Sequence, residues 1–321
     1  MPNLSRLHLL AMICVSAAAL VPSHVAAQDD STHDAAMTAF EQGDYTAARK
    51  IWTALAKDGD ATAQNNLGLM YAQGQGGPKD PALALSYFSL SAAQDDLDGI
   101  GNLAVMYAKG QGVPKDAKKA AALFKKAADK GEAHAQYNLA VLYRDGEGVK
   151  QDYKAAIKYY QKSADQGDVY ANANLGFMYV NGLGVKQDYA KALPLFEFAA
   201  ENDDSSGQTN LGELYRDGNG VTKDLVRAAE LFRLAAAQGD ASAQWDLGKL
   251  YQTGGGLTLN NGRAYAWFIM ASRSQDEDDD DAKKEALKSM KQLLPNIAPQ
   301  ELDDAKSYAE TCLTSNYTGC D

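Results

Sequence analysis

The histidines and cysteines set the first limit on the chemistry open to this chain of 321 residues. Four His and three Cys are too few for a zinc framework or a disulfide-dense scaffold. Only His33 and His134 lie after residue 27, so a Ser/His or Cys/His mechanism would have to use one of them. His134 falls at the start of a predicted helix, where we expect it to line a groove or to be exposed. We therefore predict no catalytic residue, no metal site and no cofactor.

Short motifs argue against several enzyme classes. Ser-x-x-Lys does not occur after residue 27, and Gly-x-Ser-x-Gly and His-Glu-x-x-His do not occur at all, so the usual signatures of serine β-lactamases, α/β-hydrolases and zinc proteases are missing. Six Gly-x-Gly turns lack the third Gly and the preceding strand of a nucleotide loop, and we interpret them as helix connectors. The acidic run from Asp278 to Asp281 lacks the Gly and the spaced ligands of an EF-hand, and it indicates a solvated linker leading into a helix.

The composition predicts a folded, acidic chain. Hydrophobic residues make up 45% and charged residues 23%, with a formal net charge of −11. This hydrophobic content excludes a wholly disordered chain. The acidic balance argues against nucleic acid as a partner, because phosphate backbones bind clustered Lys and Arg.

Residues 1–27 have the pattern of a secretory signal. Arg6 and His8 precede an uncharged run from Leu9 to Leu20, and Val25-Ala26-Ala27 supplies the small residues of a cleavage site. The alternatives are a membrane anchor, for which the run is short, and a lipoprotein, for which Ile13 before Cys14 is a poor match. We predict an exported chain that does not span the membrane and that resides in the periplasm, with secretion from the cell as the alternative; disulfides can form in either place.

A Leu followed four residues later by Tyr recurs six times at steps of 36 residues. The pairs are Leu67/Tyr71, Leu103/Tyr107, Leu139/Tyr143, Leu175/Tyr179, Leu211/Tyr215 and Leu247/Tyr251. Each copy adds an Asn or Asp before the Leu, a Gly or Ala after it, a Gly-x-Gly turn, an Asp or Asn, and an Ala with an aromatic four residues later. Residues at i and i+4 share a helical face, and Asp is a preferred N-cap. Each copy is therefore predicted to be two helices joined by a glycine turn.

The pattern divides the chain into four segments. After the signal, residues 28–60 carry a shortened or degenerate copy, with Gly43 and Asp44 at its turn. Residues 61–276 hold the six full copies, and residues 277–321 hold C-terminal capping helices and a tail. The tail segment is predicted to form an amphipathic helix from Ala282 to Leu294, and a final helix from near Pro299 to about Leu313. Cys312 and Cys320, the only cysteines after residue 27, are predicted to pair.

The third copy shows most clearly the family that the chain resembles. It contains Asn138-Leu139-Ala140, Tyr143, Gly146-Glu147-Gly148-Val149, Asp152, Ala156, Tyr160, Ala164 and Gly167-Asp168. This pattern resembles the Sel1-like repeat family, which is related to the tetratricopeptide repeats. The resemblance implies an all-α protein, an α-solenoid superhelix of helix–turn–helix repeats with terminal capping helices. We also expect the Asn before each Leu to bond backbone between neighbouring repeats.

By the same resemblance, the first helix of each repeat lines the concave face, and a partner would contact the positions where the copies differ. Two residues before the Leu, the copies carry Asn65, Gly101, Tyr137, Ala173, Thr209 and Trp245. The partner-binding candidates are Tyr137, Val141, Arg144, Tyr170, Phe177, Val180, Arg216 and Trp245, because aromatic residues and Arg commonly anchor interfaces. The alternative is that some of them are core, since a helical stripe buried against the neighbouring repeat would use the same spacing.

Three functions remain open at this point. The first is a non-catalytic adaptor or scaffold in envelope signalling or complex assembly, which holds a peptide or a partner domain in the groove. The second is a β-lactam or cell-wall amide hydrolase, an activity reported for the cysteine-rich branch of the family, whose cysteines lie within the repeats, unlike those of this chain. The third is a binder of cell-wall polymer. The oligomeric state is left open.

Overall fold

The structure is a computed structural model that describes residues 30–275 and 279–320. The predicted signal of residues 1–27 and part of the acidic run before the last two helices lie outside the described residues. The described chain forms two compact units, residues 30–166 and residues 167–320. Within these residues, no helix combines the length and the hydrophobicity needed to cross a membrane.

The N-terminal unit consists of helical hairpins, as the repeat pattern predicts. Its helices are α1 (Asp30–Glu41), α2 (Tyr45–Lys57), α3 (Ala61–Gln73), α4 (Pro81–Ala93), α5 (Leu97–Lys109), α6 (Ala117–Asp129), α7 (Ala133–Asp145) and α8 (Tyr153–Ala164). The pair α1–α2 is the shortened copy, and Asp44 caps α2 by accepting from the N–H of Ala47 at 3.0 Å. The other pairs are repeats 1, 2 and 3, and in each we call the first helix A and the second helix B.

The C-terminal unit continues the same hairpins and ends in two further helices. Its elements are α9 (Val169–Asn181), α10 (Tyr189–Glu201), α11 (Ser205–Asp217), α12 (Leu225–Ala237), α13 (Ala241–Thr253), α14 (Asn261–Ser272), α15 (Asp280–Leu293), a short 3-10 helix (Leu294–Asn296) and α16 (Pro299–Thr314). Repeats 4, 5 and 6 are α9–α10, α11–α12 and α13–α14. Both α15 and α16 pack on α14, and Trp267 of α14 shares an apolar core with Ala309 of α16. Cys312 and Cys320 form the predicted disulfide.

The repeated Tyr and Asp close the turn inside each hairpin. In repeat 3, the N–H of Asp152 donates to the carbonyl of Tyr143 at 2.8 Å, and its carboxylate caps α8 by accepting from Ala155 N at 3.0 Å. The same backbone bond recurs in repeats 1 to 6. The second turn glycine of repeat 3, Gly148, has a φ of +69°, and a Cβ there would clash with the carbonyl of Ala117 in helix B of repeat 2. This position therefore needs glycine for conformation and for space.

The residues flanking the repeated Leu serve packing within the repeat. All six of these Leu side chains are buried. A Cβ on Gly68, just after Leu67, would lie 2.5 Å from the ring of Phe88, so a small residue here lets helices A and B approach closely. In repeats 3 and 5 the Asn before the Leu bonds within its own helix rather than to the backbone of a neighbouring repeat, as had been expected. Asn138 and Asn210 donate to the carbonyls of His134 and Ser206 in their own helices, at 2.9 and 2.7 Å, a bond that a mid-helix side chain readily makes to position i−4.

Candidate functional site

Three of the groove candidates belong to the interior of repeat 3. Tyr137, Val141 and Arg144 are exposed by only 1–2%. The Tyr137 ring lies 5.8 Å from the ring of Tyr160 on helix B, and Arg144 donates from Nη1 to the hydroxyl of Tyr160 at 3.4 Å. This is a correction to the expectation of exposed anchors, because all three side chains are buried and those of Tyr137 and Arg144 contact Tyr160 of α8.

The buried Arg144 keeps its charge through its immediate neighbours. Its Nε and Nη2 donate to the two carboxylate oxygens of Asp145 at 2.6 and 2.8 Å. Burial acts to lower the pKa of the Arg144 guanidinium, but the Tyr160 hydroxyl and the Asp145 carboxylate raise it above its ordinary value. A two-pronged contact of this kind is the arrangement in which a buried Arg is tolerated.

Phe177 and Val180 occupy the apolar side of repeats 4 and 5. Phe177 is 5% exposed and belongs to a cluster with Phe196 and Leu214, and Val180 lies half-buried at the edge of that cluster. The burial of Phe177 favours the alternative interpretation, in which the helical stripe on α9 is core. Val180 keeps part of its surface open.

The last three candidates, Tyr170, Arg216 and Trp245, are half-buried. Arg216 donates to Asp246 of helix A in repeat 6 at 2.5 Å, and the Trp245 indole N–H donates to the Ser289 hydroxyl of α15 at 3.2 Å. Burial acts to lower the pKa of the Arg216 guanidinium, but the hydrogen bond to Asp217 and the charge of Asp246 raise it. Arg216 and Trp245 therefore connect neighbouring elements, and all three side chains keep some surface available to a partner.

A cavity with a mixed polar and apolar lining, between α5 and α7, was not predicted from the sequence. Its volume is about 30 Å³, and we call it the α5–α7 cavity. It is lined by Asp98, Gly101, Asn102, Val105, Phe124, Glu132, His134, Ala135 and Asn138. A Cβ on Gly101 would meet a single atom within 4 Å, Oε2 of Glu132 at 4.0 Å. The missing side chain at Gly101 therefore leaves this space open, and the one sequence sign of it is a Gly where repeat 3 has Tyr137.

The polar atoms around the α5–α7 cavity are mostly hydrogen-bond acceptors. Glu132 caps α7 by accepting from the N–H groups of His134, at 2.9 Å, and of Ala135. Burial raises the pKa of the Glu132 carboxyl, the two backbone hydrogen bonds and His134 act against this, and Asp98 adds to the rise. Asn138 is 3% exposed, and its Oδ1 accepts no hydrogen bond from the described residues.

Neither the cavity nor any other cluster of described side chains has the ligands to coordinate a metal ion. Among residues 30–275 and 279–320, no group of three or more His, Cys, Asp or Glu is arranged to hold a metal ion.

Six segments match the family model described as Sel1 repeat: residues 61–96, 98–132, 133–168, 169–204, 205–240 and 241–276. The fold is similar to a Sel1 repeat protein of Oxalobacter formigenes, at 27% identity and a TM-score of 0.70, over 76% of this chain and 98% of that one. It is also similar to c5321, a protective antigen of uropathogenic Escherichia coli with an SLR fold, at 25% identity and a TM-score of 0.55, over 90% of this chain and 70% of that one. No curated protein matches in sequence.

Proposed function

The chain belongs to the Sel1 repeat family, with an α-solenoid fold, and from this premise we propose that it is an exported, non-catalytic scaffold that binds a peptide or partner domain along its helices A. Sel1 repeat proteins are generally protein-interaction scaffolds, and the fold is typically non-catalytic. One observation carries the proposal: the six copies share the Leu, Tyr and glycine-turn residues of the hairpin and differ at other positions of helix A, of which Tyr170, Arg216 and Trp245 keep part of their surface exposed. A partner can be recognised specifically only through exposed residues that differ between the copies, because the shared residues are the same in every repeat.

The exposure of the candidate side chains in the structure determines where a crosslinking residue should be placed. Tyr170 at the start of α9 is half-buried, whereas Phe177 is buried, so a photo-crosslinking amino acid belongs at position 170. Leu234 on helix B of repeat 5 is 53% exposed and serves as the matched control. We expect one recurrent protein adduct from position 170 in cells and none from position 234. Equal adducts from both positions, or none from 170, would contradict a helix-A binding face.

Export is supported by the predicted signal and by the cysteine pair. Disulfides persist mainly in oxidising compartments, and Cys312 and Cys320 are bonded. We expect the protein in the periplasmic fraction, with both cysteines reacting with a thiol reagent only after reduction. Cytoplasmic protein with two freely reactive thiols would contradict export.

The non-catalytic role is tested directly with purified protein. The hydrolase alternative predicts turnover of a chromogenic β-lactam, and the polymer-binding alternative predicts sedimentation with isolated cell walls. We expect neither result. Measurable turnover that exceeds a heat-inactivated control would replace the scaffold proposal with an enzyme.

A further inference from the structure

We propose that the outward sides of α4, α6 and α8 form one surface that docks on a membrane containing anionic lipids. We call it the basic face, and it consists of Leu83 and Leu90 of α4 together with the exposed lysines of α6 and α8. All of it lies within the N-terminal unit. The inference goes beyond the proposed function, which concerns helices A, and it stands independently of that function.

The first step is the concentration of positive charge on two helices of an acidic chain. The formal net charge of the chain is −11, but α6 has four Lys against one Asp, and α8 has three Lys and no acidic residue. All seven lysines are exposed: Lys118, Lys119, Lys125 and Lys126 on α6, and Lys154, Lys158 and Lys162 on α8. Each of the two helices therefore has a net charge of +3.

The second step is the spacing of the lysines on α8. Lys154, Lys158 and Lys162 follow one another at intervals of four residues, so they share one side of the helix. Like charges at this spacing destabilise a helix. The Nζ atoms of Lys158 and Lys162 lie 5.7 and 5.8 Å from the centre of the Tyr159 ring, so two of these charges lie around one ring. An anion outside the helix would relieve their repulsion.

Another lysine-rich helix of the chain lacks this feature because its own acidic residues neutralise it. On α15, Lys283, Lys284 and Lys288 each form an ion pair with an acidic residue three positions earlier. Mixed charges of this kind are ordinary for a solvated helix. The charge of α8 is not balanced within its helix, which sets α8 apart and makes α15 a suitable control.

The third step is that the three helices lie side by side. The carboxylate of Asp95, two residues beyond α4, forms an ion pair with Lys126 of α6. The hydroxyl of Tyr159 on α8 donates to Oδ1 of Asp129 on α6 at 3.3 Å. The fully buried side of each helix is marked by the same residue type at matching positions, namely Ala84, Ala120 and Ala156. The opposite sides therefore form one continuous exposed surface.

The fourth step is the apolar edge of the basic face. Leu83 and Leu90 are 40% and 49% exposed, and they lie seven residues apart on one side of α4, which carries no charged residue. The matching positions of α6 are Lys119 and Lys126. Leucines beside lysines suit a membrane surface, because apolar side chains enter the boundary of the acyl chains while lysines reach anionic headgroups.

The fifth step is the choice of a lipid surface over a protein. Protein interfaces are enriched in Arg and aromatic residues and depleted in Lys. Helices α4, α6 and α8 carry no Arg, and every aromatic residue on them is buried or half-buried. An anionic membrane attracts lysines through their charge alone, so this composition favours the membrane.

The test is co-sedimentation with vesicles of phosphatidylglycerol and phosphatidylcholine in equal amounts. Residues 28–321 are used, because the apolar run from Leu9 to Leu20 would itself bind lipid. We expect binding at about 50 mM NaCl and its loss at about 500 mM NaCl, since salt screens exposed charges. Pure phosphatidylcholine vesicles should bind at least tenfold more weakly. Equal binding to both kinds of vesicle, or binding to neither, would overturn the proposal.

Lysine variants then locate the binding. The variant of α8 combines Lys154→Gln, Lys158→Gln and Lys162→Gln. The control variant removes as many exposed lysines from α15, by Lys284→Gln, Lys288→Gln and Lys291→Gln. We expect the first to weaken vesicle binding at least tenfold and the second to leave it within twofold. Circular dichroism melting shows that both are folded. Equal weakening by both would show that only the net charge matters and would refute the basic face.

Leucine variants test the apolar edge. Leu83→Ser combined with Leu90→Ser should weaken vesicle binding severalfold without changing its salt dependence, because all the lysines remain. Leu234→Ser is the control, since Leu234 is also exposed on a helix B, in repeat 5, and it should bind as the unmodified protein does. Unchanged binding by the folded double variant would overturn the assignment of α4 to the basic face.

An acidic polypeptide is the other partner that lysines could attract. Poly-glutamate is the probe, added at the same concentration of negative charge as the anionic vesicles. We expect vesicle binding to persist in its presence, because the apolar edge contributes only on lipid. Protein that binds poly-glutamate and not the vesicles would overturn the membrane proposal and assign the basic face to an acidic protein. Neither result depends on the crosslinking at position 170.

Discussion

Repeats 2 and 3 have the same hairpin backbone, but different side chains occupy the space between their helices. Both carry the Leu–Tyr pair, the closing Asp and the glycine turn. Among the matched positions at which they differ, three matter here: Gly101, Ala108 and Phe124 in repeat 2 correspond to Tyr137, Arg144 and Tyr160 in repeat 3. In repeat 3 the three side chains contact one another and are buried. In repeat 2 two of these positions, Gly101 and Phe124, line the α5–α7 cavity.

The comparison shows that the backbone of the hairpin is set by a small number of positions. Asp116 and Asp152 close their turns onto Tyr107 and Tyr143 with the same 2.8 Å bond, whatever fills the interior. The remaining positions of helix A can therefore hold a packed cluster in one repeat and leave an open cavity in the next.

The largest expected effect is the loss of the repeat 3 cluster. Tyr137→Ala should lower the free energy of unfolding by about 3–5 kcal/mol, because truncating a buried aromatic leaves a cavity and removes its contacts. Urea denaturation followed by circular dichroism measures it. A decrease in the free energy of unfolding of less than about 1 kcal/mol would mean that Tyr137 is a surface residue and that repeats 2 and 3 do not differ in this way.

The second effect tests whether the glycine turns of repeats 2 and 3 contribute equally to stability. Gly112→Ala and Gly148→Ala should each cost about 2–4 kcal/mol, because both have a φ of +69° and an added Cβ would overlap a backbone carbonyl of the preceding repeat. Gly131→Ala is the control. Its φ is +100° but nothing lies within 4 Å of the added Cβ, so it should cost only about 1 kcal/mol. Equal urea midpoints for Gly131→Ala and Gly148→Ala would show that crowding at the turn is unimportant.

The scaffold could be predicted from the sequence because it depends on residues that recur. Leu139, Tyr143, Gly148 and Asp152 each perform the same local task in every copy, so six copies report the same pattern. The burial of Arg144 could not be predicted in this way. It depends on Tyr160 of helix B and on a neighbouring carboxylate, and neither contact follows from a helical period.

The cavity escaped prediction for a related reason. Gly101 was visible as a small residue at a variable position, but an opening exists only if no neighbour moves into it, and that is a property of the packed hairpins. Glu132 is similar, since it stands where the equivalent caps are Asp60 and Asp96, and its longer side chain reaches the cavity.

The third effect is a small gain in stability. Gly101→Ala should raise the free energy of unfolding by about 0.5–1 kcal/mol, because alanine is the better helix former and the added Cβ meets open space. Differential scanning calorimetry against the unmodified protein measures the gain. Gly68→Ala is the control, since its Cβ would press on the Phe88 ring and should bring no such gain. A loss of stability in Gly101→Ala would mean that the cavity is already filled.

The smallest expected effect concerns two residues that cap helices A, Glu132 and Asp60. Their contributions to folding stability should change with pH in opposite directions. The pKa of the Glu132 carboxyl is raised, chiefly by burial, above its ordinary 4.5. Burial also acts to raise the pKa of Asp60, but hydrogen bonds from His33 and Ala63 N lower it below its ordinary 3.8. Folded protein therefore holds the Glu132 proton more tightly than unfolded protein does, and holds the Asp60 proton less tightly.

The contributions to stability follow from these signs. The ionisation of Glu132 costs stability as pH rises from below 4.5 through its raised pKa, so the stability of unmodified protein relative to Glu132→Gln should fall over that window. Relative to Asp60→Asn, it should be largest above 3.8 and be lost as pH falls through the lowered pKa of Asp60. Urea unfolding from pH 3 to pH 7 measures how the stability difference between the unmodified protein and each variant changes with pH. The slope of that difference is used because the loss of a capping hydrogen bond adds only a constant. Slopes of the same sign would mean that Glu132 is as well solvated as the other caps, and that the cavity beside it does not concentrate negative charge.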